Sequence, residues 1–301
     1  MERRWLEIAL DYRCNLRCLG CHACHDTGES LSSTQALEVL RAGRARKITS
    51  LWLGGGEPTL RGDLLRLVKT ARGLGYEEVL LQTNGMRLAY PAYVDALLAA
   101  GVTDVSVNVK SHVAEVHDRL SGVDGCHALL VAALEALAAR DARVSADVLV
   151  TKTTMVDLPE TVRFFAARGV RRFVLWLLSA ADSAAREVDD EVPRIADVVP
   201  HLTRAASVAK DLSVELVSLH TPPCTLPGEL RSVFLPASSL ALLVVGPDGR
   251  SFPLEESSFE GGAYVEACAA CVERGRCGGP RADYLRLHGA REIVPIPAAE
   301  T

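Results

Sequence analysis

The sequence predicts an α/β fold built on a parallel sheet. Short β-branched or apolar runs alternate with longer amphipathic stretches over residues 5–180, six such pairs follow one another, and glycines stand where the helices should stop. Parallel strands need crossover connections, which the amphipathic stretches supply. Six units suit an open doubly wound sheet or a partial barrel, and periodicity alone does not separate them.

Strands are predicted at Trp5–Leu10, Thr49–Leu53, Glu78–Gln82, Asp104–Val109, Val144–Val150 and Arg172–Leu178. Helical patterns between them include Thr34–Arg46, Asp63–Leu74 and Ala128–Arg140. In the first, Ala36, Leu37 and Leu40 share a face while Glu38 and Arg41 turn outward. Gly75, Gly101 and Gly169 each sit just before the next strand, where a helix must end. The rhythm changes after Ser179. Ala181–Pro193 is polar and acidic and is expected to be a linker, followed by a helix over Arg194–Asp211 and a strand over Val214–Leu219. Leu240–Val245 and Ser251–Leu254 flank Asp248-Gly249 and read as a β-hairpin.

With 49% hydrophobic and 24% charged residues in a chain of 301, disorder is excluded. Lys plus Arg number 33 against 38 for Asp plus Glu, a net charge of -5 that speaks against binding a phosphate backbone. No apolar run approaches the ~20 residues of a membrane span. The start, Met1-Glu-Arg-Arg-Trp5, lacks the apolar stretch of a signal peptide, so a cytoplasmic location is expected.

The nine cysteines are the unusual feature, and they bunch towards the two ends of the chain. In a reducing compartment, clustered thiolates point to metal or cluster ligands. Cys14, Cys18 and Cys21, spaced x3 then x2, follow the first strand at its C-terminal end, the edge where parallel sheets and barrels place their sites. Three thiolates on a cubane of four irons leave one iron open. Zinc is the other metal this loop could take, with Cys24, His22 and His25 nearby.

Here the sequence resembles the radical S-adenosylmethionine (SAM) superfamily. The C-x3-C-x2-C loop is that family's most specific mark. Gly55-Gly56-Glu57-Pro58 after strand two is similar to its glycine-glycine-glutamate-proline motif, and Thr83-Asn84-Gly85 after strand three to its threonine-asparagine-glycine turn. Glycines let backbone approach a ligand closely, and a carboxylate can accept from an ammonium. The resemblance implies a partial (βα)6 barrel of the TIM type over residues 1–181. It also implies a [4Fe-4S] cluster on Cys14, Cys18 and Cys21, and SAM held by Gly55, Gly56, Glu57, Thr83 and Asn84. Ser106, Asn108 and Lys110 align with strand-four residues that hold the SAM ribose and carboxylate, and Arg119 lies in a matching downstream stretch. Three departures stand out: Gly20 replaces the usual aromatic before the third cysteine, Asn108 and Lys110 replace serine and aspartate, and Ser121 replaces an arginine. The implied chemistry is one-electron cleavage of SAM to a 5′-deoxyadenosyl radical, with a flavodoxin or ferredoxin as electron donor.

Cys268, Cys271 and Cys277 are spaced x2 then x5, and Cys224 upstream brings the set to four thiolates. Such a set could hold structural zinc. The spacing also resembles part of the SPASM or twitch extension, whose cysteines hold auxiliary [4Fe-4S] clusters. Residues 182–301 are therefore expected to form a small cysteine-rich domain with one auxiliary cluster, giving two clusters in all. The extension is associated with peptide or protein modification and with small-molecule chemistry. Only thirteen residues precede Cys14 and the chain ends Pro-Ala-Ala-Glu-Thr301, without the glycine pair of the molybdopterin-pathway relatives. A peptide or protein substrate is the leading expectation, a small-molecule oxidoreductase or rearrangement enzyme the alternative, and a zinc-stabilised binding protein the remaining one. Cys24 and Cys126 are left over. Cys126 opens a helix, where thiolate character is favoured, and could donate a hydrogen atom to a substrate radical; an inert packed thiol is the plainer reading of both.

Overall fold

A computed structural model describes residues 4–21, 28–180, 186–257 and 261–298. Nine strands form one sheet: β1 (Trp5–Ala9), β2 (Ser50–Gly54), β3 (Glu78–Thr83), β4 (Asp104–Val109), β5 (Arg143–Val150), β6 (Val170–Leu177), β7 (Glu215–Ser218), β8 (Leu242–Val245) and β9 (Ser251–Pro253). Their spatial order is β7-β6-β5-β4-β3-β2-β1-β8-β9, and all pairs are parallel except β8 with β9. A doubly wound sheet reverses its strand order at a switch point. Here β1 to β6 neighbour one another in chain order, which is the partial-barrel arrangement.

The helices are α1 (Ser33–Ala45), α2 (Leu64–Gly73), α3 (Pro91–Ala100), α4 (Ala114–Ser121), α5 (Cys126–Ala138), α6 (Leu158–Ala166), α7 (Arg186–Glu191), α8 (Ile195–Asp211) and α9 (Ala282–His288). Local chemistry fixes their ends. Ser32 and Gln35 form a capping box on α1, and Gly101 closes α3 in the left-handed region at φ 114°. Among the described residues no single helix is long and apolar enough to cross a membrane.

Every strand of the barrel has two unlike faces. One carries residues such as Leu6, Leu53, Leu81, Val107, Val148 and Phe173, each no more than 1% exposed, in the main core. The opposite positions carry Glu7, Trp52, Gln82, Ser106, Asp147 and Trp176 and face the lumen. A parallel sheet packed on both faces would read apolar throughout. This alternation instead marks a polar interior.

The C-terminal part does not stand apart from the sheet: β7 extends it beyond β6, and the β8–β9 hairpin extends it beyond β1. The expected linker also departs from the sequence reading. Residues 181–185 lie outside the described residues, but α7 occupies 186–191, and Val188 and Val192 are buried with Leu178 and Ala180. Those apolar residues, spaced by four, supply a helical face inside an otherwise acidic stretch.

Asp118 of α4 organises the start of α5. Its Oδ2 accepts the Gly125 N–H at 2.6 Å, and its Oδ1 accepts the His127 N–H at 2.8 Å and the Cys126 thiol at 3.1 Å. Asp118→Ala should lower unfolding stability by about 1.5–3 kcal/mol, the worth of a hydrogen bond to a charged group, with Asp118→Asn recovering part. Chemical denaturation of the three proteins would measure it, and an unchanged midpoint would count against this capping role.

Candidate active site

Among the described residues, the cysteine-bearing loop after β1 contains no helix or strand, yet its backbone is held from two sides. Asp11 O accepts the Gly56 N–H at 2.7 Å and Arg13 O accepts the Glu57 N–H at 2.8 Å. Opposite, the Arg17 and Leu19 N–H groups each donate, at 2.9 Å, to Ser121 O and Leu120 O at the end of α4. The glycines make this approach possible. A Cβ on Gly56 would stand 2.3 Å from Arg13 O, one on Gly55 (φ 110°) 2.5 Å from Asp11 O, and one on Gly122 (φ 69°) 2.7 Å from Arg17 O. The sequence reading gave Gly55 and Gly56 to ligand approach; in the structure the cysteine loop itself fills the space beside them.

An ionic knot fixes where the loop begins. Asp11 is buried and pairs with Arg13 at 2.9 Å and Arg61 at 3.5 Å, while Arg61 also binds Asp63 at 2.8 Å and Leu31 O at 2.9 Å. Arg61 holds the Asp63 carboxyl down, at about 2.

Cys14, Cys18 and Cys21 are partly exposed cysteines outside any disulfide. Burial pushes the Cys14 thiol up, and the neighbouring Glu57, Cys18 and Cys21 push in the same direction, against a hydrogen bond from the Leu16 N–H. Negative groups gathered without a cation oppose one another's ionisation, and a cationic cluster would relieve that opposition. The donor set therefore fits an iron–sulfur cluster. Asn84 Nδ2 donates to Asn15 Oδ1 at 2.7 Å and lies 4.0 Å from Cys14 Sγ, joining the turn after β3 to the cysteine loop.

Glu57 is 1% exposed. Its Oε1 accepts from Thr59 N at 3.0 Å, Thr59 Oγ1 at 2.6 Å and Thr83 Oγ1 at 2.7 Å, whereas Oε2 accepts from Asn84 N at 2.7 Å. Burial pushes its carboxyl up despite these donors. All four donors are neutral, so this buried carboxylate lacks a counter-charge, and a ligand ammonium would provide one. Acceptor capacity remains on Oε2.

The residues expected on strand four divide. Ser106 points into the lumen and donates to Asp147 Oδ2 at 2.8 Å. The buried Lys110 donates its ammonium to Asn108 Oδ1, while its backbone N–H lies 3.3 Å from His117 Nδ1. Arg119 is exposed on α4. Cys126 is 2% exposed, and burial together with Asp118 pushes its thiol up to about 12. That runs against the expected thiolate character, and the S–H donates to Asp118 Oδ1. Cys24, with His22 and His25, lies outside the described residues.

Sequence reasoning missed Asp147. Its Oδ2 also accepts Gln82 Nε2 at 2.9 Å and its Oδ1 accepts Trp176 Nε1 at 3.1 Å, so strands β3, β4 and β6 converge on one carboxylate of β5. Burial pushes it up against these donors. An open recess lies beside it, lined by Trp52, Ser106, Arg172, Trp176 and Leu240 among others. A charged residue in the middle of Val144–Val150 was the available signal.

The second cysteine set is brought together. Cys224, Cys268, Cys271 and Cys277 line one open recess with Tyr264 and Arg274. Burial, then the other three thiols, pushes Cys224 up to about 11. Gly20 explains its own departure from the family pattern: at φ +67° its Cβ would lie 2.4 Å from Leu178 Cδ1, so Leu178 occupies the place of a side chain there.

The three-thiol loop at the C-terminal edge of a partial barrel defines a radical SAM enzyme, and the family comparison agrees. The Radical SAM superfamily profile matches residues 10–192, and the chain belongs to that superfamily. A probable GTP 3′,8-cyclase of Sulfurisphaera tokodaii is 30% identical over 167 residues, 55% of this chain and 53% of the relative. The chain thus spans about half the length of that curated relative. Among solved structures, Streptococcus suis SuiB bound to S-adenosylmethionine is similar with a TM-score of 0.70 at 15% identity, covering 98% of this chain and 76% of SuiB. anSMEcpe with bound AdoMet and Cp18Cys peptide gives 0.65 at 16% identity, covering 96% and 95%.

The two buried carboxylates set a pH dependence. A group whose folded pKa is raised contributes stability that is complete below its unfolded pKa and lost as pH rises through the folded value. Asp147→Asn removes one such group. The melting temperature of the wild type relative to Asp147→Asn should therefore fall as pH rises from roughly 4 towards neutrality. A difference that grows with pH would contradict the assignment.

Proposed function

We propose that this chain is a two-cluster radical SAM enzyme that takes a small polar substrate into the barrel lumen. The observation that carries it is the three-thiol turn clamped beside Glu57, a buried carboxylate with only neutral donors. Cys14, Cys18 and Cys21 would hold a [4Fe-4S] cluster with one open iron, and Glu57 would meet the SAM ammonium with Thr83 and Asn84 orienting its carboxylate. The bound cluster supplies the electron that cleaves SAM reductively; the chain's own residues orient the reactants and exclude water. The electron would come from a flavodoxin or ferredoxin.

The auxiliary site supports a second cluster. Four thiols match the four irons of a cubane and leave none open. Cys224, Cys268, Cys271 and Cys277 all line one recess, which brings the four donors to a common space. A fully ligated cluster serves as an electron conduit or brace, and substrate binding falls to the lumen. There, the recess lined by Ser106, Arg172 and Trp176 opens beside Asp147, which offers an acceptor for a ligand's polar hydrogens. The small-molecule reading displaces the peptide expectation because the 30%-identical relative is named for GTP, whereas the peptide-bound neighbour shares the fold alone.

Anaerobically reconstituted protein should bind roughly eight irons, two cubanes, and release 5′-deoxyadenosine. A Cys14/Cys18/Cys21→Ala triple variant should keep about half of the iron and lose SAM cleavage; retained cleavage would refute the site. Stoichiometric zinc at the remaining thiols would replace the auxiliary cluster with a structural site. GTP is the first substrate probe, read as acceleration of 5′-deoxyadenosine release. Glu57→Gln should weaken SAM affinity roughly tenfold to a hundredfold, the loss of one charge-assisted hydrogen bond, with iron content unchanged. Equal SAM affinity in calorimetry would remove Glu57 from the contact.

A further inference from the structure

The segment that follows Cys277 grips the end of β6 beside the first cysteine turn. Arg281 is buried, donating through Nη1 to Leu177 O at 2.9 Å and through Nη2 to Leu178 O at 2.8 Å. It forks onto Asp283, with Nε 3.0 Å from Oδ1 and Nη2 3.0 Å from Oδ2. Asp283 Oδ2 in turn accepts the Ala180 N–H at 2.8 Å and Ser179 Oγ at 3.1 Å. One ion pair thus holds the backbone of residues 177 to 180.

Leu178 carries that hold to the cluster loop. Its Cδ1 lies against Gly20, where a Cβ would come within 2.4 Å. Leu19 packs in the same small apolar cluster, with Leu178, Ala180, Val188, Val192 and Leu287 of α9. Leu19 and Gly20 are the two residues between Cys18 and Cys21. Arg281 Nη1 is also 3.0 Å from His220 Nδ1, four residues before Cys224. The arginine therefore touches the chain just after β6 and just after β7.

We infer that Arg281 and Asp283 are positioning residues for the first cluster, setting the Cys18–Cys21 turn through Leu178 and so coupling it to the auxiliary segment. The inference rests on Cys14, Cys18 and Cys21 holding the SAM cluster. An arginine suits the task because its rigid fork reaches two carbonyls and a carboxylate at once, which a lysine cannot do. With the turn unfixed, the thiols lose the geometry that captures the cluster, while the four auxiliary thiols keep theirs.

Two variants test this, Arg281→Lys and Leu178→Ala, each in the full chain reconstituted without oxygen. The second leaves the Arg281–Asp283 pair intact and removes only the contact with Gly20. Both should unfold cooperatively but carry roughly four irons where the wild type carries roughly eight. In both, SAM should no longer alter the electron paramagnetic resonance signal of the reduced protein, while the auxiliary signal persists. Full iron and an unchanged SAM-induced signal in Leu178→Ala would overturn the coupling, even if Arg281→Lys fails to fold. A wild type that binds no iron at Cys14, Cys18 and Cys21 would overturn the underlying reading instead, so the two failures are distinguishable.

Discussion

Close approach of backbone to backbone around the cysteine loop is the constraint on which the rest of this molecule depends. A metal-binding loop must present its thiols reproducibly, but a loop has few internal hydrogen bonds with which to do so. Here the ends of two other βα units, Gly56–Glu57 after β2 and Leu120–Ser121 at the close of α4, donate to and accept from it directly. Neither approach tolerates a side chain at Gly56 or Gly122. The partial barrel supplies rigid edges, and glycine lets them close on the loop.

The sheet and helices were legible because their signals are local. Alternating apolar runs, helix-ending glycines and the Asp248-Gly249 hairpin each act over a few residues, and β4 falls where it was expected, at Asp104–Val109. The cysteine spacings were legible for the same reason. What escaped was long-range. Asp147 gains its meaning only when β3, β4 and β6 bring Gln82, Ser106 and Trp176 to it, and no spacing in one strand foretells that. The hairpin could be read as a hairpin, but not as a neighbour of β1, some 230 residues earlier in the chain.

The two buried carboxylates share one design. Glu57 collects neutral donors from the turn after β2 and the end of β3, Asp147 from β3, β4 and β6, and neither has a cation in hydrogen-bond contact. Neutral hydrogen bonds offset part of the cost of burying a charge but leave the site negative and short of a partner. Such groups cost folding stability, and a cationic or donor-rich ligand recovers it on binding. That asymmetry distinguishes them from Asp63 and Asp283, whose arginine partners are already in place. The carboxylates of Asp63 and Asp283, with resident arginines, hold the scaffold together.

Cys126 shows how competing electrostatic effects are weighed by size. A helix N-terminus favours a thiolate by about 0.3–1 kcal/mol, less than one pH unit at 1.36 kcal/mol per unit. Against it stand burial of the sulfur to 2% exposure and the Asp118 carboxylate 3.1 Å away, which together push the thiol up to about 12. The dipole loses. Asp118, by accepting the Gly125 and His127 N–H groups as well as the thiol, has already taken over the anion's place at the start of α5. The same helix, α4, carries Asp118 and offers Leu120 and Ser121 to the cysteine loop, so the thiol that donates to Asp118 belongs to a cap on the helix against which Arg17 and Leu19 are hydrogen-bonded.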